Sequence, residues 1–97
     1  MNFKPLSDYV LITPLEDSQS GGLIVADADK KILTGKVLAI GNGRWEPFGL
    51  IASSLRVGDT VWFATFSKNE IRLDGKLYYV VPEREILGYT RENSNPN

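Results

Sequence analysis

Apolar residues recur along this chain either at every second position or in short runs that Gly, Asp or Pro interrupt. This period is typical of β-strands, whose successive side chains point to opposite faces. The pattern predicts strands over residues 9–13, 35–41 and 61–66, and the last of these, the richest in aromatic residues, is expected to be the core strand. Because no segment has the spacing of a long amphipathic helix, the sequence predicts an all-β fold, a small closed or partly closed β-barrel.

The second half of the chain carries a clear hairpin signal. Asp74-Gly75 separates two alternating runs, residues 70–73 and 76–81, and a type I′ turn needs positive φ at both of its central positions. After Pro82 the pattern predicts one helical turn and then a last short strand over residues 87–90. At the other end of the chain, residues 3–6 predict a short edge strand, because Pro5 cannot donate a hydrogen bond to a ladder.

Two segments do not fit a compact barrel. Residues 16–34 begin with a polar stretch that ends in two glycines, and an apolar island, Leu23, Ile24 and Val25, follows it. A connection of this length is usually functional or disordered, although the island by itself could also be a short buried strand. In residues 42–54, Pro47 and Gly49 alternate with Trp45 and Phe48, which favours a protruding hairpin over the core position that is usual for such aromatic residues.

Composition limits the chemistry. The 97 residues are enough for one domain, 1–97, and they carry 11 Lys and Arg, 12 Asp and Glu, and no Cys or His. The balanced charge argues against general nucleic-acid binding, and the missing Cys and His remove thiolate and imidazole metal ligands as well as the commonest general base. No phosphate-binding loop is present. The sequence therefore predicts no enzyme and no cofactor.

The expected location is the cytoplasm. No apolar run approaches the roughly 18 residues that a membrane-spanning helix needs. The first residues resemble neither a signal peptide nor a transit peptide. We therefore expect no membrane partner.

Six segments of the chain together resemble the GroES-like co-chaperonins, the small lids of the double-ring chaperonins. One such fragment would be a weak signal, but all six occur in the order and spacing of that family. The chain departs from the family at Thr13-Pro14, where a basic residue is usual, and at Val25-Ala26, where Leu-Pro is common. The matching segments are residues 4–10, 21–25, 35–43, 55–61, 70–76 and 85–88.

The resemblance implies a GroES-like β-barrel subunit with a long mobile loop at about residues 16–34 and a protruding roof hairpin at about residues 42–54. Such subunits assemble into a homoheptameric dome. The dome caps the nucleotide-bound large chaperonin (GroEL-like) ring and encloses a chamber in which a non-native client protein folds. The nucleotide chemistry then belongs to the partner.

The resemblance also implies roles for individual residues. Trp45 and Phe48 would lie in the roof, and Phe66 would face the lumen; its alternative is one more core residue. The mobile-loop anchor would be formed by Gly21, Gly22, Leu23, Ile24 and Val25. The subunit interface would be formed by Phe3, Lys4, Pro5, Leu6, Leu87, Gly88, Tyr89, Thr90 and Arg91.

Two other functions remain as alternatives. A small β-barrel could be a binding module for oligonucleotides or oligosaccharides, because aromatic residues on strands can stack on bases, although the balanced charge counts against it. A related barrel also occurs as the catalytic domain of medium-chain alcohol dehydrogenases. That interpretation fails for want of Cys, His and a dinucleotide-binding domain.

Overall fold

The computed structural model describes residues 2–15 and 32–91. Within them the chain is almost entirely strand and turn, which confirms the predicted all-β fold. Short 3₁₀ turns lie at Thr65–Ser67 and Glu83–Glu85. The strands are β1 (Tyr9–Pro14), β2 (Ile32–Ile40), β3 (Arg44–Glu46), β4 (Gly49–Ile51), β5 (Thr60–Ala64), β6 (Asn69–Leu73), β7 (Lys76–Pro82) and β8 (Ile86–Thr90).

Six of the strands form one antiparallel sheet in the order β6-β7-β1-β2-β5-β8, while β3 and β4 form a separate two-stranded sheet. The large sheet curls into a barrel. Strands β5 and β7 are three positions apart, which would separate them by about 14 Å in a flat sheet. The rings of Phe63 on β5 and Tyr79 on β7 nevertheless meet edge to face, with centroids 5.7 Å apart.

The core fills the inside of this barrel. As predicted, β5 is a core strand, because Val61 and Phe63 are fully buried. The central strand β1 is buried on both faces, since consecutive residues Val10, Leu11 and Ile12 are all inaccessible. The β1–β2 register shifts between Leu11 and Ile12. The core cluster consists of Val10, Ile12, Val37, Leu55, Val61, Phe63 and Val81, and Leu33, Ile40, Tyr79 and Ile86 pack against it.

Local sequence signals explain the connections. Asp74 and Gly75 have φ of 54° and 81°, so both adopt the positive φ that a two-residue hairpin turn requires, and the predicted β6–β7 hairpin is confirmed. The predicted helical turn after Pro82 is the 3₁₀ turn Glu83–Glu85, and the last predicted strand is β8.

Three predicted boundaries were wrong. Residues 3–6 form no strand, because no strand of the described residues pairs with them. The core strand ends at Ala64, and Phe66 belongs to the following 3₁₀ turn. Strand β2 begins at Ile32 rather than at Gly35, where the predicted strand began. The last residues of the predicted loop, 32–34, therefore already pair with β5.

Candidate functional site

The hairpin of β3 and β4 exposes a group of large apolar side chains: Trp45, Phe48, Leu50 and Ile51. Trp45 and Leu50 are direct cross-strand partners and therefore lie on the same face of the hairpin. Trp45 is 74% exposed and Phe48, in the turn, is 80% exposed. The alternative interpretation of these rings as core residues is therefore wrong, and the protruding hairpin predicted at residues 42–54 is present.

The base of the hairpin is fixed by main-chain contacts. The amide of Gly43 donates to the carbonyl of Ser7 (2.8 Å), and that of Gly41 donates to the carbonyl of Tyr9 (3.0 Å). On the hairpin itself, Arg44 Nε donates to Glu46 (2.6 Å). The hairpin is therefore tied to the start of β1 rather than to the barrel core.

Phe66 lies just beyond the end of β5 and is 76% exposed. It is not a core residue, so its core interpretation is wrong. A predicted lumen-facing position needs an exposed ring, and the ring is exposed. Which side of an assembly it would face stays a prediction.

The predicted interface residues lie at two places on the subunit. In the N-terminal segment, Pro5 is buried and Leu6 is 77% exposed. Phe3 and Pro5 line two clefts, of about 450 and 520 Å³, one beside Leu11 of β1 and the other beside Ile71 and Val80. Lys4 lines both as well.

The other predicted interface residues lie on β8, an edge strand of the large sheet, or directly after it in the case of Arg91. Its outer edge pairs with no other strand of the described chain. The side chains of Leu87 and Tyr89 are exposed, as is Thr90, and a Cβ added to Gly88 would meet only open space. The inner edge of β8 pairs with β5 of the same chain. A truncation that removes residues 88–97 is therefore no clean test of the interface, because it would also remove the strand that pairs with β5 in the subunit.

An ion-pair network at the end of β8 had no counterpart in the sequence interpretation. Arg91 binds Asp59 through two hydrogen bonds, Nε to Oδ1 and Nη2 to Oδ2, both of 2.8 Å. The same Nη2 donates to the carbonyl of Ser54 (3.1 Å), and the amide of Arg56 donates to Asp59 Oδ2 (2.8 Å). Because 32 residues separate the two partners, no local pattern could have indicated the pair.

The charges in this network shift the pKa values of both partners. The hydrogen bond from Arg91 lowers the pKa of the buried Asp59 carboxyl, and the Arg56 amide acts in the same direction, whereas burial opposes both. The hydrogen bond to Asp59 in turn raises the pKa of Arg91. A second buried carboxylate, Asp8, accepts a hydrogen bond from Arg84 Nη1 at 2.7 Å. Both ion pairs join distant parts of the chain.

The predicted anchor residues, Gly21, Gly22, Leu23, Ile24 and Val25, lie outside the described residues. Within residues 2–15 and 32–91, no group of three or more acidic, His or Cys side chains could hold a metal ion. In the same part of the chain, no helix is long and apolar enough to cross a bilayer. The features on this surface are an apolar hairpin, an open sheet edge and exposed aromatic rings, which are suited to binding macromolecules.

The fold and these surfaces define a small β-barrel that is suited to macromolecular contacts. The sequence profile of the family described as the chaperonin 10 Kd subunit matches residues 2–90. A protein of Pelagibacter ubique named co-chaperonin GroES is 45% identical over 92 residues, which are 91% of this chain and 96% of that protein. The co-chaperonin GroES of Desulfosudis oleivorans is 39% identical over 92 residues, 91% of this chain and 97% of that protein.

A third co-chaperonin GroES, from Ruthia magnifica, is 42% identical over 91 residues, which are 90% of this chain and 96% of that protein. The chain belongs to the chaperonin 10 Kd subunit family. It is a co-chaperonin and not an enzyme, as the sequence predicted. The alternative of an oligonucleotide- or oligosaccharide-binding module is not favoured, because the family match spans nearly the whole chain.

Proposed function

We propose that this co-chaperonin assembles into a seven-membered ring that caps a nucleotide-bound, GroEL-like chaperonin ring and encloses a chamber for a non-native client protein. The observation that carries the proposal is the family match over residues 2–90. The partner supplies the nucleotide chemistry, and the cytoplasm is the proposed location.

The proposed contact with the partner is the apolar anchor formed by Leu23, Ile24 and Val25, behind the pair Gly21 and Gly22. Burying three such side chains in an apolar groove stabilises the complex by about 5–9 kcal/mol, at about 1.5–3 each. Ordering ten loop residues costs on the order of 10–20 kcal/mol, which hydrogen bonds made on docking offset only in part. A single loop should therefore bind weakly, and several loops on one ring should bind tightly because the later contacts are intramolecular.

The test of this anchor is Ile24→Ser, with Ile24→Leu as the matched control. The serine variant loses about 1.5–3 kcal/mol at each engaged loop, so capping should be abolished, whereas the leucine variant nearly keeps volume and polarity and should cap. Both variants should melt within about 0.5 kcal/mol of the parent. Capping is measured as inhibition of ATP turnover by a large chaperonin. If Ile24→Ser melts early and still caps, Ile24 is a core residue and the anchor proposal is wrong.

For the ring, we propose that residues 3–6 of one subunit pair with the outer edge of β8 in the next. A free sheet edge accepts a further strand readily, and a head-to-tail contact that closes into a ring leaves no subunit with an unpaired β8 edge. Two observations support this pairing: β8 has an open edge, and Leu6 is exposed in a segment that pairs with no strand of the described residues.

The test of this interface is Leu6→Asp, with Phe66→Asp as the control. Both side chains are about equally exposed in the subunit, at 77% and 76%, so neither charge should unfold it. Only the Leu6 variant would place a charge in the proposed interface, and it should run as a monomer in light scattering. Equal behaviour of the two variants, whether both form rings or neither does, would contradict the interface assignment.

In the proposed ring, Trp45 and Phe48 cluster around the central axis as the roof, and Phe66 faces the lumen. Clustering of the hairpins would remove their rings from water, which favours the closed dome. The double variant Trp45→Ser, Phe48→Ser should therefore fold normally, and its ring should dissociate at a higher protein concentration than the ring of the parent. Unchanged dissociation would place these rings away from one another.

A further inference from the structure

Strand β8 needs something other than packing to hold its register. Thr60 pairs with Thr90, Val61 with Tyr89 and Trp62 with Gly88, but Phe63 then pairs with Ile86, so Leu87 is an extra residue. Ile86 packs against the core, whereas residues 87–90 are all exposed. A one-residue slip turns every side chain of a strand to the other face, and strands without a buried face resist such slips poorly.

Arg91 follows β8 directly and has a rigid acceptor. The carboxylate of Asp59 is 2% exposed, its Oδ2 accepts the Arg56 amide, and its own carbonyl accepts the amide of Val37 on β2 (2.8 Å). The Asp59 carboxylate and the Arg56 amide that binds it form a socket for Arg91, and the bond to Val37 ties this socket to the centre of the sheet. A guanidinium that binds a carboxylate through two parallel hydrogen bonds requires a defined position and plane.

The same guanidinium lies over the ring of Tyr89, with its central carbon 4.8 Å from the ring centroid. A slip of one residue would move Arg91 by about 3.3 Å along the strand and turn its side chain to the opposite face. Both hydrogen bonds to Asp59 would then be lost, whereas the contact with Tyr89 would move with the strand, because Tyr89 lies on β8 itself. The paired contact of Arg91 with Asp59 is thus compatible with one register of β8.

We propose that Arg91 is a positioning residue for subunit assembly, which holds β8 against Asp59 so that Leu87 and Tyr89 are presented in one register to a second copy of this chain. The inference rests on the proposed ring interface. It differs from a role in strand pairing, because Arg91 lies beyond the last paired residue, Thr90, and acts on its own subunit. The docking segment on the second copy is residues 3–6.

The experiment compares Arg91→Ala, Arg91→Lys and Arg56→Ala. Arg56 is a matched control, because it is exposed and its charge also lowers the pKa of the Asp59 carboxyl. Its hydrogen bond to Asp59 comes from the main-chain amide, which Arg56→Ala keeps. Two quantities are measured for each variant, the concentration at which the ring dissociates and the hydrogen-exchange protection of amides 87–90.

Arg91→Ala should raise the concentration at which the ring dissociates by about tenfold or more, because every subunit of the closed ring loses its contact between Arg91 and Asp59, which we call the clamp. Amides 87–90 should lose protection while those of β1 and β2 keep theirs. Arg91→Lys should restore ring formation in part, since an ammonium group cannot make the paired contact. Arg56→Ala should change the dissociation concentration less than about twofold.

The outcomes separate this inference from the ring proposal. If Arg91→Ala dissociates like the parent, or if Arg56→Ala weakens the ring equally, Arg91 is not a positioning residue. If the parent chain forms no ring, the interface proposal fails. Hydrogen exchange then still decides on the clamp: loss of protection at residues 87–90 in Arg91→Ala supports it, and unchanged protection overturns it.

Discussion

Gly43 at the base of the roof hairpin provides the sharpest test of how the hairpin is held. Its φ is +122°, and a Cβ added there would lie 2.1 Å from the carbonyl oxygen of Ile51 and 2.9 Å from the Cα of Ala52. Both are main-chain atoms, so rotation of a side chain cannot relieve the contact. Gly49, at the tip of the same hairpin, has a φ of +137° but no atom within 4 Å of an added Cβ.

Comparison of the two glycines therefore separates backbone strain, which alanine would suffer at both positions, from a steric clash, which it would suffer only at position 43. An alanine in a sparsely populated backbone region costs on the order of 1–3 kcal/mol, and both Gly43→Ala and Gly49→Ala carry this cost. Gly43→Ala must in addition move the two hairpin strands apart, and such overpacking costs typically about 1–3 kcal/mol more. We expect Gly43→Ala to lower the free energy of unfolding by that further amount relative to Gly49→Ala.

The measurement is denaturant unfolding of both variants and the parent at one protein concentration, together with ring formation and capping. The Gly43 amide also donates to the Ser7 carbonyl, so a displaced hairpin should weaken its attachment to the N-terminal segment as well. Gly43→Ala should therefore cap less well than Gly49→Ala. If the two variants lose equal stability and cap equally, the hairpin base is not a fixed contact and the reasoning fails.

Two further predictions concern the core and its charges. Phe63→Ala should lower the free energy of unfolding, measured in denaturant, by about 3–5 kcal/mol, since this buried ring packs on Tyr79. Phe66→Ala should change the same free energy by no more than about 0.5 kcal/mol, because its ring is exposed. Folding lowers the pKa of Asp59, so its carboxylate stabilises the folded state at pH values above 3.8, the ordinary pKa of this group. This contribution is lost as the pH falls through the folded pKa. Asp59→Asn should therefore be less stable than the parent at about pH 7, and the deficit should shrink below about pH 3.8.

Much of the fold is encoded in local sequence. The Asp74-Gly75 pair predicts the β6–β7 turn because its positive φ values are a property of the residues themselves. Apolar positions identify β1, β2 and β5, as alternation in β2 and as short continuous runs in β1 and β5, because at least one face of each strand has to be buried. Pro47 and Gly49 beside Trp45 and Phe48 similarly indicate a hairpin that leaves its aromatic rings exposed. The family resemblance came from the same segments, and the profile match over residues 2–90 confirms it.

Other features were decided only by the tertiary structure. The core strand stops at Ala64, and Phe66 is exposed, although residues 61–66 read as one run. The N-terminal segment forms no strand because a ladder needs a partner, and no strand of residues 2–15 and 32–91 pairs with it. The contact between Arg91 and Asp59 exists because the pairing of β8 with β5 brings together residues 32 positions apart. Local pattern determines which residues form strands, whereas contacts between distant segments depend on how the sheet curls and closes.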